Sequence, residues 1–125
     1  SKDEDIKEKL FSVKKRLELT IDAVKDFDNI EVISFDGLLV EFCDKVDCKV
    51  IIRGLRALSD YEYEFKMALM NRALNDDIVT LFMMPHERYT HISSSLIREV
   101  SSLGGDISTY VPNFVSDALK GTFEE

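Results

Sequence analysis

Several residue types and patterns that mark particular protein classes are rare or missing here. Tryptophan is absent, and the 125 residues include only two cysteines, two prolines and five glycines. Cys43 and Cys48 have neither the number of a disulfide framework nor the spacing of a zinc site, so we expect free thiols. No apolar run approaches the roughly 20 residues of a membrane span, and no signal peptide precedes the first predicted helix. These absences predict a cytoplasmic protein without a membrane segment.

Positive charge is also scarce, since 16 Lys and Arg face 24 Asp and Glu for a net charge of -8. A broad nucleic-acid surface needs clustered basic side chains to displace counterions, so we expect no nucleic-acid partner. A local basic pocket is still compatible with an acidic protein. Hydrophobic residues are plentiful at 45%, and a chain of this size can bury roughly two thirds of its unfolded surface. We therefore expect a single domain over residues 1–125.

Helical and strand-like patterns alternate along the chain. Helices are predicted from Ser12 as N-cap to about Asp26, from Leu38 to Val46, from a capping box of Ser59 and Glu62 to about Asn75, from Ser94 to Leu103, and after Pro112. Strands are predicted at Ile30 to Phe35, Val50 to Ile52 and Ile78 to Met84. This order predicts an α/β fold, a doubly wound parallel sheet with helices on both faces. Because the chain opens on a helix and supplies few strands, we expect its first β-α-β element to be missing.

Two arginines lie where a buried strand is predicted to end. Arg53 and Arg56 flank Gly54-Leu55 just after the strand that begins at Val50. Guanidinium groups grip phosphate oxygens through two parallel N–H donors, and glycine lets a ligand approach the backbone closely. The carboxyl ends of strands form the binding edge of a doubly wound sheet. The plain alternative is a pair of surface arginines on a loop.

Three serines, Ser93 to Ser95, begin the helix that follows the last strand. One serine would suffice as N-cap, and no Glu or Gln stands where it would complete a capping box. The first turn therefore keeps amide donors, hydroxyl groups and a helix dipole for an external anion. Arg98 follows one turn later. Because this helix start and the arginines would face one crevice, we predict a polyphosphate ligand, with simple capping as the alternative.

The longest predicted helix carries three stripes of side chains. Two are apolar, so we expect a helix buried on two sides: Tyr63, Met67, Met70 and Leu74 form one, and Tyr61, Phe65 and Leu69 the other. The third joins Glu64, Ala68 and Asn71, with its polar residues about 10 Å apart, and alone would be a solvated face. No Ser-His-Asp, Cys-His or Walker pattern is present. A phosphate nucleophile would need none of them, because it is already ionised at neutral pH.

Taken together, several segments resemble bacterial phosphopantetheine adenylyltransferases: IIRGLRALSDYEYEF, MALMNR, FMMP, YTHISSSLIREV, GGDIS and VP. The likeness runs from about Phe11 to Leu119. ISSSLIR is similar to the ISSTxxR signature of the nucleotidyltransferase superfamily, with Ser95 in place of Thr. The resemblance implies a Rossmann-like fold and transfer of the adenylyl group of ATP, with Mg²⁺, to 4'-phosphopantetheine. It also implies a homohexamer and feedback binding of coenzyme A.

The resemblance further implies which residues bind each substrate. ATP would contact Gly54, Leu55, Arg56, Glu64, Tyr89, Thr90, His91, Ile92, Ser93, Ser94 and Ser95. Phosphopantetheine would contact Arg53, Leu39, Asn71 and a lysine. Lys2 matches that lysine by its Ser-Lys pair, whereas Lys7 and Lys9 match the spacing to Phe11 better. No protein ligand for a metal is implied within the chain.

One departure concerns catalysis. The histidine that the family uses to stabilise the transition state stands in a G-x-F-D-P-x-x-x-G-H motif, which no segment of this sequence matches. We therefore expect no catalytic residue in this chain, and we expect the chain to be the carboxyl-terminal part of an enzyme. Two alternatives stay open: a noncatalytic module that senses ATP or coenzyme A, and a nucleotidyltransferase with another acceptor.

Overall fold

The computed structural model describes residues 9–123. Its helices in that range are α1, Val13–Ala23; α2, Leu39–Lys45; α3, Leu58–Leu74; α4, Ser94–Ser102; and α5, Asn113–Phe123. A 3-10 turn occupies Glu87–Tyr89. The strands are β1, Val50–Gly54, and β2, Val79–Met83. They pair in parallel, with Val50 opposite Val79 and Gly54 opposite Met83. A parallel pair joined through a helix is a βαβ unit, so the α/β class is confirmed.

The described residues form two compact units. One unit consists of residues 35–94, and the other combines the described residues before 35 with those after 94. The first unit therefore contains α2, β1, α3, β2 and the 3-10 turn. The expectation of a single domain over the whole chain stays a prediction.

The core of the first unit is small and apolar. Val40 and Cys43, three residues apart on one face of α2, are buried together with Ile51 of β1 and Ile78, which precedes β2. Cys48 packs partly buried against this cluster, and both cysteines are free thiols as predicted. The cluster joins α2 to β1 and thereby supports the strand that ends at the arginines.

The second unit buries three side chains within its described residues. Ile107 and Leu119 are the apolar ones, and Ser116 lies one turn before Leu119 on α5. The predicted end of α4 near Leu103 is confirmed: the helix ends at Ser102, and Gly104 follows with φ +81, a conformation that glycine adopts without strain. The N-cap of α1 is also confirmed, since the Ser12 hydroxyl accepts from the Lys15 amide at 3.1 Å.

The strand predicted at Ile30 to Phe35 is wrong. Residues 30–35 form no strand in the described structure, where β1 and β2 pair only with each other. A strand is maintained by hydrogen bonds to a neighbouring strand, so a suitable apolar pattern is not sufficient by itself. Phe35 instead stacks on Phe42 of α2, with ring centroids 4.4 Å apart.

The capping box predicted at Ser59 and Glu62 is also wrong. Helix α3 begins at Leu58 after Ala57, whose side chain makes no capping hydrogen bond. The amide of Asp60 already bonds to the Ala57 carbonyl at 3.0 Å, which closes the first turn and places Ser59 inside the helix. Glu62 accepts from Lys66 one turn later, at 3.2 Å, instead of from the helix start.

The expected burial of α3 is reversed. Each residue of the two apolar stripes is at least 40% exposed in this chain: Tyr61, Tyr63, Phe65, Met67, Leu69, Met70 and Leu74. The third stripe is the covered one, because the Glu64 side chain is only 12% exposed and Ala68 and Asn71 are half-buried. The plain alternative for this stripe, a solvated face, therefore does not describe the structure. An ion pair between Glu64 and β1 explains which face of the helix is covered.

Candidate functional site

Arg53, near the end of β1, makes a two-point contact with Glu64 on α3. Its Nε donates to Oε2 at 2.9 Å, and its Nη2 donates to Oε1 at 2.6 Å. The carboxylate is largely covered, whereas the arginine side chain is 49% exposed. This parallel pair of charge-assisted bonds fixes the plane of the guanidinium. One edge of Arg53 is thus held against α3 while the side chain stays accessible to a ligand.

Arg56 is held from two directions. Its Nε and its backbone amide each donate to Oδ2 of Asp60 at 3.2 Å, and Nη2 lies 3.5 Å from Oδ1. Its Nη1 donates to the carbonyl oxygen of Ile92 at 3.0 Å. Ile92 immediately precedes the three serines. The structure therefore brings the arginine segment after β1 next to the residue that leads into the serine-started helix.

Asp60 is the site residue that the sequence reasoning missed. The hydrogen bond from the Arg56 guanidinium is the main cause that lowers the pKa of its carboxyl; desolvation opposes this, and the Arg56 amide adds to it. The carboxylate consequently stays ionised at neutral pH. Its position four residues after Arg56, and one turn before Glu64, was a signal that could have identified it.

Gly54 and Leu55 connect the two arginines without special backbone strain. The Leu55 amide donates to the Met83 carbonyl at 2.9 Å, which continues the parallel pairing past the end of β1. Gly54 is not among the residues with positive φ, and a Cβ at this position would meet no other atom within 4 Å. The fold itself therefore does not require glycine here.

The predicted ATP segment from Tyr89 to Ser95 covers the end of the 3-10 turn and the start of α4. The Thr90 hydroxyl donates to the Glu87 carbonyl at 2.8 Å, and the Arg88 guanidinium carbon lies 5.3 Å from the centre of the Tyr89 ring. His91, Ser94 and Ser95 are exposed, and Ile92 and Ser93 are half-buried. These contacts lie in the loop just before Ile92, whose carbonyl oxygen accepts the hydrogen bond from Arg56.

The residues predicted for phosphopantetheine are distributed over several elements. Asn71 shares the covered face of α3 with Glu64, two turns further along. Leu39 begins α2 and packs against the core cluster of the first unit. Of the candidate lysines, Lys9 is exposed, while Lys2 and Lys7 lie outside the described residues.

Within residues 9–123, no three or more His, Cys, Asp or Glu side chains are grouped so that they could hold a metal ion. None of the helices in this range combines the length and apolar character needed to cross a membrane.

A parallel pair of strands joined through a helix, with arginines at the strand end, places this chain among the α/β proteins. A family model described as cytidylyltransferase-like matches residues 1–100. Curated relatives add a finer assignment, since three proteins named phosphopantetheine adenylyltransferase match most of the chain.

The protein of Caldanaerobacter subterraneus subsp. tengcongensis is 46% identical over 119 residues, which cover 95% of this chain and 74% of that protein. The Staphylococcus carnosus protein is 50% identical over 117 residues, covering 94% and 73%. The Desulfosudis oleivorans protein is 49% identical over 114 residues, covering 91% and 68%. The chain therefore belongs to the phosphopantetheine adenylyltransferase family within the cytidylyltransferase-like class. The resemblance inferred from the sequence motifs is confirmed.

Proposed function

We propose that this protein is a nucleotidyltransferase that transfers the adenylyl group of ATP to 4'-phosphopantetheine, forming dephospho-coenzyme A and pyrophosphate in coenzyme A biosynthesis. The observation that carries this proposal is the identity of 46 to 50%, over at least 91% of the chain, with three proteins of that name. The two oriented arginines at the end of β1 support it, because both substrates are phosphate compounds.

The reaction joins two anions. An oxygen of the acceptor phosphate forms a bond to the α-phosphorus of ATP, and the bond from that phosphorus to the oxygen bridging the β-phosphate breaks. That oxygen leaves with the electron pair as part of pyrophosphate. The acceptor phosphate is largely ionised at neutral pH, so no side chain has to remove a proton. The protein's task is to align the reactants and offset their charge.

We assign one arginine to each substrate. Arg53 binds the acceptor phosphate, with Leu39 and Asn71 along the pantetheine arm and Lys2, Lys7 or Lys9 as a second cation. ATP is assigned to a larger set: Gly54, Leu55, Arg56, Glu64, Tyr89, Thr90, His91, Ile92, Ser93, Ser94 and Ser95. The amino end of α4 suits the triphosphate, because its backbone N–H groups and dipole favour an anion.

Magnesium is expected to enter with ATP. Mg²⁺ keeps several waters and is commonly bound through substrate phosphates and only one or two carboxylates. The two carboxylates beside the arginines, Asp60 and Glu64, already accept hydrogen bonds from guanidinium groups. We therefore assign no residue of the described range as its ligand. When bound, the ion would offset negative charge on the phosphates.

We also propose that the protein is a cytoplasmic oligomer, with six subunits as the family resemblance implies, and that it binds coenzyme A as a feedback inhibitor. The exposed apolar side chains of α3 support an association surface, since contiguous apolar patches often mark such contacts. Light scattering on a sizing column measures the mass in solution, and a stable monomer would contradict the proposed oligomer.

Coenzyme A is expected to compete with phosphopantetheine in a kinetic assay.

The reaction is tested by measuring the pyrophosphate that the complete gene product releases from ATP. Phosphopantetheine, nicotinamide mononucleotide and glycerol phosphate are offered as acceptors in parallel, and we expect turnover only with phosphopantetheine. Turnover with one of the other acceptors alone would identify a different transferase. ATP binding without any turnover would identify a noncatalytic module.

Two substitutions test the division of the site. Arg53→Ala is expected to raise the KM for phosphopantetheine, and Ser94→Ala the KM for ATP, each by about tenfold through the loss of a hydrogen bond to a charged group. Steady-state kinetics with each substrate varied in turn gives both constants. If both variants keep wild-type values, these assignments are wrong.

A further inference from the structure

The two cysteines lie at the two ends of the turn that terminates α2. The Cys48 amide donates to the Cys43 carbonyl oxygen at 2.7 Å, and inside this bond the Asp47 amide donates to the Asp44 carbonyl oxygen at 3.2 Å. Asp47 has φ 55, in the left-handed region. Two nested bonds around a left-handed residue form a Schellman motif, in which the side chains of the first and last residues frequently make contact. Here both of those side chains are free thiols.

The surroundings of the two thiols place them against each other. Cys48 packs partly buried against the core cluster that contains Cys43. Burial is the largest cause that raises the pKa of the Cys43 thiol, and the charge of Cys48 and a hydrogen bond to its side chain add to the increase. Cys48 donates its own proton to the Val50 carbonyl oxygen at 3.2 Å, so Cys43 is the donor toward the Cys48 sulfur. The two thiols therefore contact each other directly.

We propose that Cys43 and Cys48 are a thiol pair that a low-molecular-weight disulfide oxidises reversibly to an intramolecular disulfide. The structure describes the reduced state of the pair. The proposed cytoplasmic location is reducing, and disulfides that form in such a compartment are usually transient and sense the redox state. Neither thiol takes part in the proposed adenylyl transfer, so the inference does not rest on that function and the two can fail separately.

Cys48 is the thiol that an external reagent reaches first. Its side chain is half-buried, whereas Cys43 is only 4% exposed. A thiol buried among apolar side chains is inert toward outside reagents. Because Cys43 lies against Cys48, it can still attack a disulfide that has formed on the Cys48 sulfur. The geometry therefore makes Cys48 the attacking thiol and Cys43 the resolving thiol.

The oxidation proceeds in two exchange steps, written here for glutathione disulfide. Cys48 loses its proton to solvent, and its thiolate attacks one sulfur of the reagent, so that a mixed disulfide forms and one glutathione leaves as thiolate. Cys43 then loses its proton and attacks the Cys48 sulfur, which forms the intramolecular bond and releases the second glutathione. The two leaving thiolates take up two protons. Two electrons pass from the cysteine pair to the reagent, which is reduced to two thiols.

The test treats the complete gene product with glutathione disulfide at mildly alkaline pH under native conditions. The reaction is quenched with acid and mapped by peptide mass spectrometry without reduction. We expect the peptides of Cys43 and Cys48 to be joined and lighter by two hydrogen atoms, and dithiothreitol to restore both thiols. Two unmodified cysteines, or a glutathione that stays on Cys48 without being displaced, would overturn the proposal.

Two single variants test the order of the steps. Cys43→Ala lacks the resolving thiol, so Cys48 should accumulate the mixed disulfide with glutathione. Cys48→Ser keeps only the buried thiol, which should react at least about tenfold more slowly because burial keeps it protonated. Equal glutathione incorporation in the two variants would contradict the assigned order. Should Cys43→Ala fail to fold, Cys43→Ser replaces it, since the hydroxyl is close to the thiol in shape but does not exchange with disulfides.

The equilibrium with glutathione separates the geometry of the fold from closeness in sequence. Two cysteines five residues apart also meet in an unfolded chain, with an effective concentration on the order of mM. We expect the native protein to favour the intramolecular disulfide at least about tenfold more than the same chain in concentrated urea, because the turn holds the two thiols together. By linkage, the oxidised protein should then have the higher Tm. An equal or weaker preference in the native protein would show that the folded geometry opposes the bond, and the proposal would be wrong.

Discussion

Replacing Gly54 with alanine separates a requirement of the fold from a requirement of the ligand. A Cβ at this position meets no other atom within 4 Å, and the backbone φ is outside the left-handed region. Alanine should therefore fit the unliganded protein without strain. Alanine then raises the free energy of unfolding by about 0.4–1 kcal/mol, because it lowers the conformational entropy of the unfolded chain, which therefore loses less entropy on folding. For 125 residues, an unfolding entropy of about 2.1 cal/mol/K per residue converts this to a rise of about 2–4 °C in Tm.

ATP binding is expected to change in the opposite direction. Gly54 lies in the strand end between the two arginines, where the proposed function brings phosphate against the main chain. A methyl group there would push the nucleotide away from its hydrogen-bond donors. The loss of one charge-assisted hydrogen bond corresponds to about a tenfold rise in the KM for ATP. The variant should thus be more stable and yet bind ATP less well.

The assay combines thermal unfolding without ligand and steady-state kinetics with ATP varied. Gly121→Ala is the control, since Gly121 lies inside α5 and a Cβ there also meets nothing within 4 Å. It is expected to raise the stability by roughly 0.5–1 kcal/mol and leave the KM for ATP unchanged. A Gly54→Ala variant with unchanged KM would refute the close approach of the nucleotide. A lowered Tm would refute the reasoning about the backbone.

Three further predictions concern the rest of the molecule. Ile78→Ala removes a side chain that is only 2% exposed in the core of the first unit. Denaturant unfolding should therefore show a free energy of unfolding that is lower by about 2–5 kcal/mol, and a decrease under about 1 kcal/mol would contradict the burial of Ile78. Gly105→Ala would place its Cβ 2.5 Å from Cγ1 of Val100 and 3.0 Å from its carbonyl oxygen, and should lower the stability by about 1–3 kcal/mol, in contrast to Gly121→Ala. Burial is the main cause that raises the pKa of the Cys43 thiol, and Cys48 adds to the increase. Cys43 should therefore react with iodoacetamide more slowly than Cys48 at mildly alkaline pH, as measured by peptide mass spectrometry. Faster labelling of Cys43 than of Cys48 would contradict the burial of Cys43. Because the folded state favours the neutral thiol, Cys43 contributes to the free energy of unfolding below the pKa of the unfolded chain, and this contribution declines as the pH rises through the pKa of the folded protein.

The elements that sequence reasoning predicted correctly depend on contacts between near neighbours. The Ser12 cap bonds to an amide three residues away, and the stop after α4 requires only that Gly104 adopt a positive φ. The parallel pair β1 and β2 follows from two apolar runs separated by one helix. The motif from Ile51 onward was also sufficient to identify the family, because a resemblance depends on residue order alone.

The elements that were predicted wrongly depend on what lies beside them in space. The apolar run at Ile30 to Phe35 has the composition of a strand, but a strand needs a hydrogen-bonding neighbour, which periodicity cannot supply. The apolar stripes of α3 indicate surfaces suited to burial, yet the pattern does not say what covers them. In this chain the covered face is the one that carries Glu64.

The sequence by itself determined the α/β class, the family, and the two segments that carry arginines and serines. Only the tertiary structure decided how those segments are held: Arg53 pairs with a carboxylate 11 residues away, and Arg56 with a carbonyl 36 residues away. Residue identity and local spacing specify which groups can bind phosphate. The path of the backbone decides which carboxylate faces each arginine and which carbonyl group lies beside Arg56.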